Sequence, residues 1–423
     1  MTEKTHSQMT AWLVCALVAL AFYGNSYVYD SINPVGDLLQ QQRGFSSSDV
    51  AMLNAIYSLP NIVMVLVGGL LVDRFGAARM MVVTSAICMA GAALTALSPN
   101  FMGMAAGRLL FGIGAETFNI GTLAAVADYF TTEGLALAMA LTLSLGRLGS
   151  ASADKSTSWF ASAYAQGWQA PLLIALAFAA TSFVASLLYA GIDAGPRRRR
   201  IELRLASKTM HEKFVWRDLL HFGRAYWFLL GLCVLWYAVI LAFRSTFSIT
   251  YFQHVHGLDL ATAGDMNSYV FFAAVFATPV FGWLCDKTGR YAPLLAFGAT
   301  LLPIALAVMA FTHWSLWIAT ALLGVSYSLV PAVMWPLSSR IVAPARFGTA
   351  IGLMWVIQNL GIGGANLVAG WLNDRAGASA SNPAGYDPMM IFFGITSLLG
   401  LACALSLWAT AGRRKHELAA AAA

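Results

Sequence analysis

The stretch Gly107-Arg108-Leu109-Leu110-Phe111-Gly112-Ile113-Gly114-Ala115-Glu116 sets the reading of the chain. It continues through a turn near Thr131-Thr132-Glu133 and returns through Ser144-Leu145-Gly146-Arg147-Leu148-Gly149-Ser150. Both arms are apolar and long enough to cross a bilayer, which takes ~20 residues. Each carries an ionisable group near its middle, Glu116 in one and Arg147 in the other. A charge at that depth costs at least ~2.5–3.5 kcal/mol, so it lines a cavity or meets a partner. Glu116 and Arg147 are therefore the first functional candidates.

The rest of the chain has the same character. Of 423 residues, 59% are hydrophobic and 10% charged, against ~25% charged in soluble domains. Composition thus predicts an all-α membrane protein. Twelve apolar segments can be counted, near 11–29, 49–72, 80–98, 102–129, 134–154, 168–192, 225–252, 263–285, 292–312, 315–341, 347–372 and 387–411. Ala11 to Tyr23 imitates a signal peptide but lacks an A-x-A site, so it reads as an uncleaved first span. Cys15, Cys88, Cys233, Cys285 and Cys403 all lie in apolar runs, without CxxC or a Cys/His cluster. They read as packing residues, and no metal or cofactor is expected.

The net charge of +6 resides in loops beside spans and does not indicate nucleic acid. The long polar stretch contains Arg197-Arg198-Arg199-Arg200, Arg204, Lys208, Lys213 and Arg217. It reads as a cytosolic linker over 193–224, between a six-span half at 1–192 and another at 225–423. With both termini cytoplasmic, 19 of 25 Lys and Arg fall on that side, as the positive-inside rule requires. Only Arg43, Lys155 and Arg375 fall on the other side, and Arg108, Arg147 and Arg244 lie within spans.

An internal repeat supports two pseudo-symmetric halves. Gly69-x-x-x-Asp73-Arg74-x-Gly76 recurs as Gly282-x-x-x-Asp286-Lys287-x-Gly289, an offset of 282 − 69 = 213 residues. Gly69 and Gly282 are expected to let helices approach closely. Asp73 and Asp286 are placed at helix ends, to accept from backbone N–H groups or from Arg79 and Arg290. A parallel repeat of this length suits a transporter whose halves rock about a midplane site.

On these residues the chain is identified as resembling the major facilitator superfamily. Gly69-x-x-x-Asp73-Arg74-x-Gly76 with Arg79 resembles its signature between spans two and three. Asp286-Lys287-Thr288-Gly289-Arg290 is similar to the second-half copy. A narrower resemblance, to the lysosomal dipeptide uniporters of that superfamily, rests on several motifs across residues 20–410. These are Tyr57-Ser58-x-Pro60-Asn61, Gly107-Arg108 through Glu116, Arg147-x-Gly149-Ser150, Gly324-x-Ser326-Tyr327-Ser328-Leu329, Trp335-Pro336 and Gln358-Asn359-Leu360-Gly361. The resemblance implies twelve spans, dipeptide transport, substrate contact by Glu116 and Arg147, and a cytosolic gate built on the loop signatures. It also implies a lysine in span seven, where this chain has Ser248 or Ile249. Arg244 stands four or five positions earlier, and only a spacing of four keeps it on the same helical face.

A zwitterion offers an ammonium to Glu116 and a carboxylate to Arg147, whose planar fork suits it. The alternative is that the two side chains pair with each other. Arg108 is either a proton-handling group beside Glu116 or a structural one. Tyr57, Trp236, Tyr237, Asn267, Tyr327, Trp335, Gln358 and Asn359 are candidates to line a pocket or to glue helices together. His254, His256 and His313 read as solvated, and Asp374-Arg375 as an outer ion pair. No G-x-x-x-x-G-K loop supports ATP drive, and no clustered catalytic set at one depth points to an enzyme. The short tails before Ala11 and after Gly412 hold no signalling domain, which disfavours a sensor. Two readings remain: a secondary transporter of dipeptides or similar zwitterions, and a proton-coupled transporter of a small organic anion clamped by Arg147 and Arg244. Absence of N-x-[ST] sequons and of an acidic dileucine address suits a bacterial inner membrane.

Overall fold

The computed structural model describes residues 8–130, 132–193, 222–312, 314–343 and 346–421, without the side chains of 65, 66, 132, 133, 136 and 411–421. The expected linker therefore lies almost wholly outside the described residues, as does His313. Twelve long helices carry the described chain. In the first half they are α1 (Gln8–Asp30), α2 (Ser47–Phe75), α3 (Ala77–Leu97), α4 (Phe101–Tyr129), α5 (Thr132–Trp159) and α6 (Gln169–Asp193). In the second they are α7 (Arg224–His256), α8 (Leu260–Thr288), α9 (Tyr291–Phe311), α10 (Leu316–Ile341), α11 (Phe347–Ala376) and α12 (Asp387–Ala421). By length and composition ten helices can cross a membrane, or eleven if the bent α2 counts as one, and α5 falls outside that tally.

The chain divides into two compact units, Met1–His211 and Glu212–Ala423. In the first, α4 packs on α2 and α3, α1 on α5 and α6, and α3 on α6. In the second, α10 packs on α8 and α9, α7 on α11 and α12, and α9 on α12. Every pair recurs six helices later. The matching lengths agree: α2 and α8 have 29 residues each, α3 and α9 have 21 each. Both copies of the loop signature close on a left-handed glycine, Gly76 (φ +86°) and Gly289 (φ +62°). A side chain there is strained, which explains why glycine ends both copies.

Tryptophans mark the membrane boundaries. In the second unit exposed Trp227, Trp283 and Trp408 lie at one end of the bundle, and exposed Trp314, Trp317 and Trp371 at the other. Amphipathic indoles settle at the headgroup level, so two such girdles flank the apolar band. Cys15, Cys88, Cys233 and Cys285 are buried free thiols and Cys403 is partly buried.

Candidate functional site

Glycines place the two mid-span charges of the first unit. A Cβ at Gly112 would stand 2.6 Å from the Tyr57 carbonyl oxygen on α2. At Gly114 it would stand 2.7 Å from that of Thr84 on α3, and at Gly107 2.6 Å from the Thr95 backbone nitrogen. The spacing Gly107…Gly112-Ile113-Gly114 therefore wedges α4 between α2 and α3. Gly146 and Gly149 likewise flank Arg147 and leave room for Phe22 and Tyr23 of α1.

Glu116 is the sixteenth of 29 residues in α4. Arg147 is the sixteenth of 28 in α5. Arg108 of α4 reaches Val28 of α1, and Glu116 lies about 12 Å further along α4. Gly146 and Gly149 meet α1 at Phe22 and Tyr23, about 8 Å along α1 from Val28. The two charges thus both stand near the middle of their helices. Both are half-buried. Glu116 shares its face of α4 with exposed Leu109, Ile113 and Leu123, and Arg147 follows exposed Leu143 on α5. Each charge stands on a face that its own helix neighbours leave uncovered. Tyr57 of α2 lies within electrostatic reach of Glu116, and its ring meets Tyr29 edge-on at 4.7 Å.

Arg108 is held differently. It is 1% exposed. Its Nε donates to the Leu53 carbonyl (3.1 Å), Nη1 to that of Val28 (3.3 Å), and Nη2 to Tyr29 O (3.1 Å) and Asn54 Oδ1 (2.9 Å). Val28 and Tyr29 end α1, where carbonyls have no partner within the helix. Arg108 caps that end, so four of its five N–H donors serve the fold.

In the second unit, α7 opens into a π turn at Phe243–Phe247. A π turn widens the helix to an i→i+5 repeat, so residues four and five apart both fall near one face. Arg244 stands on that turn, four residues before Ser248 and five before Ile249. Arg244 is 1% exposed, and its guanidinium lies 3.6 Å from the centroid of the Phe271 ring. Asn267 Nδ2 donates to the Arg244 carbonyl (3.1 Å). Ser248 Oγ lies 2.9 Å from that same carbonyl and 2.8 Å from Asn267 Oδ1. The Phe271 ring meets Tyr327 edge-on at 4.9 Å, Tyr327 stacks on Trp236 at 6.0 Å, and Trp236 meets Tyr237 at 4.9 Å. Arg244, Tyr327 and Tyr237 are thereby joined through Phe271 and Trp236.

The other amide and aromatic candidates are engaged elsewhere in this unit. Trp335 stacks on Trp355 at 5.3 Å. Gln358 Oε1 accepts from Cys233 Sγ (3.5 Å), and Asn359 Nδ2 donates to Trp355 O (3.0 Å).

The loop signatures bring a correction. Among the described residues, Cβ atoms at Gly69 and Gly282 would meet nothing within 4 Å. The close approach belongs to the neighbouring Gly68, whose Cβ would stand 2.6 Å from Thr117 Oγ1, because adjacent helical residues point about 100° apart. Asp286 is met by Tyr291, whose hydroxyl donates to Oδ1 (2.6 Å) and accepts from Arg340 Nη2 (2.7 Å). Arg290 is exposed. Lys287 Nζ lies 4.7 Å over Trp283, and Arg74 lies 5.4 Å over Phe75, with Asp73 half-buried and Arg79 exposed. His254 and His256, expected in solvent, are half-buried, and His254 Nδ1 lies 2.7 Å from the Tyr386 hydroxyl.

Sequence reasoning missed Phe271, Tyr291 and Arg340. Phe271 was within reach, since it stands four residues after Asn267 and shares its face. Arg340 registered only as a topology-setting charge.

Two units with one helix-pairing scheme, mid-helix charges and aromatic girdles define a two-repeat α-helical membrane transporter. The chain belongs to the Major Facilitator Superfamily, whose sequence profile matches residues 14–366 and again 244–422. It is 30% identical over 377 residues to the lysosomal dipeptide transporter MFSD1 of Danio rerio, covering 86% of this chain and 81% of that protein. It is also 25% identical over 412 residues to the probable sulfoacetate transporter SauU of Cupriavidus necator, covering 89% of each. The fold resembles the crystal structure of a bacterial homolog of the human lysosomal transporter Spinster. There the TM-score is 0.73 and the identity 15%, over 95% of this chain and 97% of that one. The protein is thus a multi-pass membrane transporter and not an enzyme.

Proposed function

We propose that the chain is a secondary transporter of small zwitterions, dipeptides first among them, working by alternating access. One observation carries this reading: an acid and a base, Glu116 and Arg147, stand mid-helix on the uncovered faces of adjoining helices. Similarity to a dipeptide transporter along four-fifths of its length supports the choice of cargo. Glu116 takes the ammonium, and Arg147 and Arg244 serve the carboxylate. Tyr57, Tyr237, Tyr327, Trp335, Gln358 and Asn359 complete the lining. Gly69, Asp73, Arg74 and Arg79, with Gly282, Asp286, Lys287 and Arg290, work the cytosolic gate. Twelve spans at 1–192 and 225–423 flank the basic linker 193–224. Both termini are cytoplasmic, in a bacterial inner membrane.

The test is thermal unfolding of the purified protein with Ala-Ala, paired with uptake into proteoliposomes. Ligand at 100 times its Kd stabilises the protein by about 2.7 kcal/mol, so Ala-Ala raises Tm and is taken up. Glu116→Gln weakens binding about 10- to 100-fold, the range for a hydrogen bond to a charged group. Unaltered affinity in E116Q removes Glu116 from the site.

A second reading has its own support, the likeness to a probable sulfoacetate transporter. In it Arg147 and Arg244 clamp a small organic anion, and Glu116 or Arg108 handles a coupled proton in symport or antiport. Stabilisation by sulfoacetate with indifference to Ala-Ala, and a proton flux accompanying uptake, select it over the first.

A further inference from the structure

Asn119 lies one turn beyond Glu116 on α4, at the i+3 position that shares its face. It is half-buried. Its Oδ1 is shielded from solvent and accepts no hydrogen bond among the described residues. Asn25 Oδ1 and Asn373 Oδ1 are in the same state elsewhere in the spans, and Asn119 is set apart from them by its place on the face of Glu116. Asn54 Oδ1 accepts from Arg108, Asn366 Oδ1 from Thr246, Asn267 Oδ1 lies against the Ser248 hydroxyl, and Gln358 Oε1 accepts from Cys233. Those four glue helices together, the ordinary work of amides inside a membrane. The carbonyl end of Asn119 joins nothing among the described residues. A buried acceptor left without a donor destabilises the protein. A donor that arrives from outside the chain would satisfy it.

We infer that Asn119 is a second recognition group for the ammonium end of the substrate, its amide oxygen accepting one N–H while Glu116 holds the charge. The inference rests on the proposed zwitterion site. An ammonium carries three donors and is satisfied by a carboxylate alone only in part. A neutral acceptor one turn away along the same face supplies the next contact and reads the number of N–H groups, not only the charge. The substrate class follows: primary amines are preferred over N-methylated or N-acylated ones.

The experiment compares Asn119→Leu and Asn119→Asp with the wild type, using Ala-Ala and N-acetyl-Ala-Ala as probes. Thermal unfolding is followed without ligand and across a ligand titration. The wild type is expected to prefer the free amine. N119L lowers that preference about 10- to 100-fold, whereas N119D, which keeps an acceptor in place, retains or raises it. Without ligand, N119L melts no lower than the wild type, because it removes an unsatisfied acceptor. A packing role predicts the opposite pattern: N119L loses several degrees of Tm and keeps the amine preference, which overturns the inference. If N119L fails to fold, a fall of the preference in N119D overturns it equally. A wild type that ignores Ala-Ala overturns the proposed function, and this inference with it. A wild type that binds Ala-Ala while both variants keep its preference overturns the inference alone.

Discussion

The two units are wired alike and furnished differently. Each pairs its helices by one scheme, and each buries an arginine near the rings of its second helix. In the first unit, Arg108 lies 5.7 Å from the Tyr57 ring and gives four N–H groups to oxygens at the ends of α1 and α2. In the second, Arg244 lies 3.6 Å over the Phe271 ring on a helix opened by a π turn. The first arginine closes a helix end. The second sits where the helix has been loosened. A repeated backbone scheme therefore constrains packing while leaving the chemistry at half-depth free to diverge. Glu116 and Arg147 show the same freedom, since the second unit carries Leu329 and Leu360 at residues 213 further on (116 + 213 = 329, 147 + 213 = 360).

The comparison breaks most sharply at Arg108. Arg108→Ala takes four N–H groups away from three carbonyls and one amide oxygen, and is expected to destabilise the protein by about 3–5 kcal/mol. Arg108→Lys recovers little, because a compact ammonium has no planar fork to span four acceptors. Yield and Tm in detergent read the loss. A folded R108A with wild-type Tm and an altered pH dependence of uptake would make Arg108 a proton handler and erase the contrast with Arg244.

What the sequence disclosed follows the same division. Apolar runs, loop charges and the 213-residue repeat are one-dimensional signals, so the helices and the two units were legible. Glu116 and Arg147 were legible because a charge inside an apolar run stands out. Arg108's acceptors are backbone carbonyls, which have no sequence mark. The π turn at Phe243–Phe247 leaves no mark in composition. Asp286 was matched to Arg290 by proximity along the chain, whereas its contact, Tyr291, is oriented by Arg340 from another helix. Partners distant in sequence and turns of irregular pitch are what one sequence conceals.

A smaller effect sharpens the second half of the comparison. Phe271→Leu keeps an apolar side chain but removes the ring beneath Arg244. A desolvated cation–π contact contributes about 2 kcal/mol, so F271L lowers stability by about that amount. Tyr57→Leu removes a ring from which Arg108 stands further off, and Arg108 keeps its four hydrogen bonds, so the loss attributable to the arginine is less than half as large. Equal losses in the two variants would show that both arginines depend on their rings alike.

The mildest test uses a cap that the repeat has preserved in position and changed in kind. Ser46 caps α2 and Asp259 caps α8, 213 residues apart (259 − 46 = 213). Ser46 Oγ accepts from the Asp49 backbone N–H (3.1 Å). Asp259 accepts from the Thr262 N–H (3.0 Å) and hydroxyl (2.7 Å). Those two bonds, the hydroxyl first, hold the Asp259 carboxyl below its ordinary pKa. Replacing either cap by alanine costs about 1 kcal/mol at neutral pH. The dependence on pH then separates them. A carboxylate whose folded pKa is depressed stabilises fully above its unfolded value of about 3.9, and the stabilisation fades as pH falls through the folded pKa. The gap in Tm between wild type and Asp259→Ala should therefore narrow as pH drops from 7 toward 3 and below. The gap for Ser46→Ala should not, because a hydroxyl does not titrate in that range. A D259A gap that stays constant down to pH 2 would mean that the threonine contacts hold the protonated acid as well as the ionised one, and that the two caps work alike despite their different chemistry.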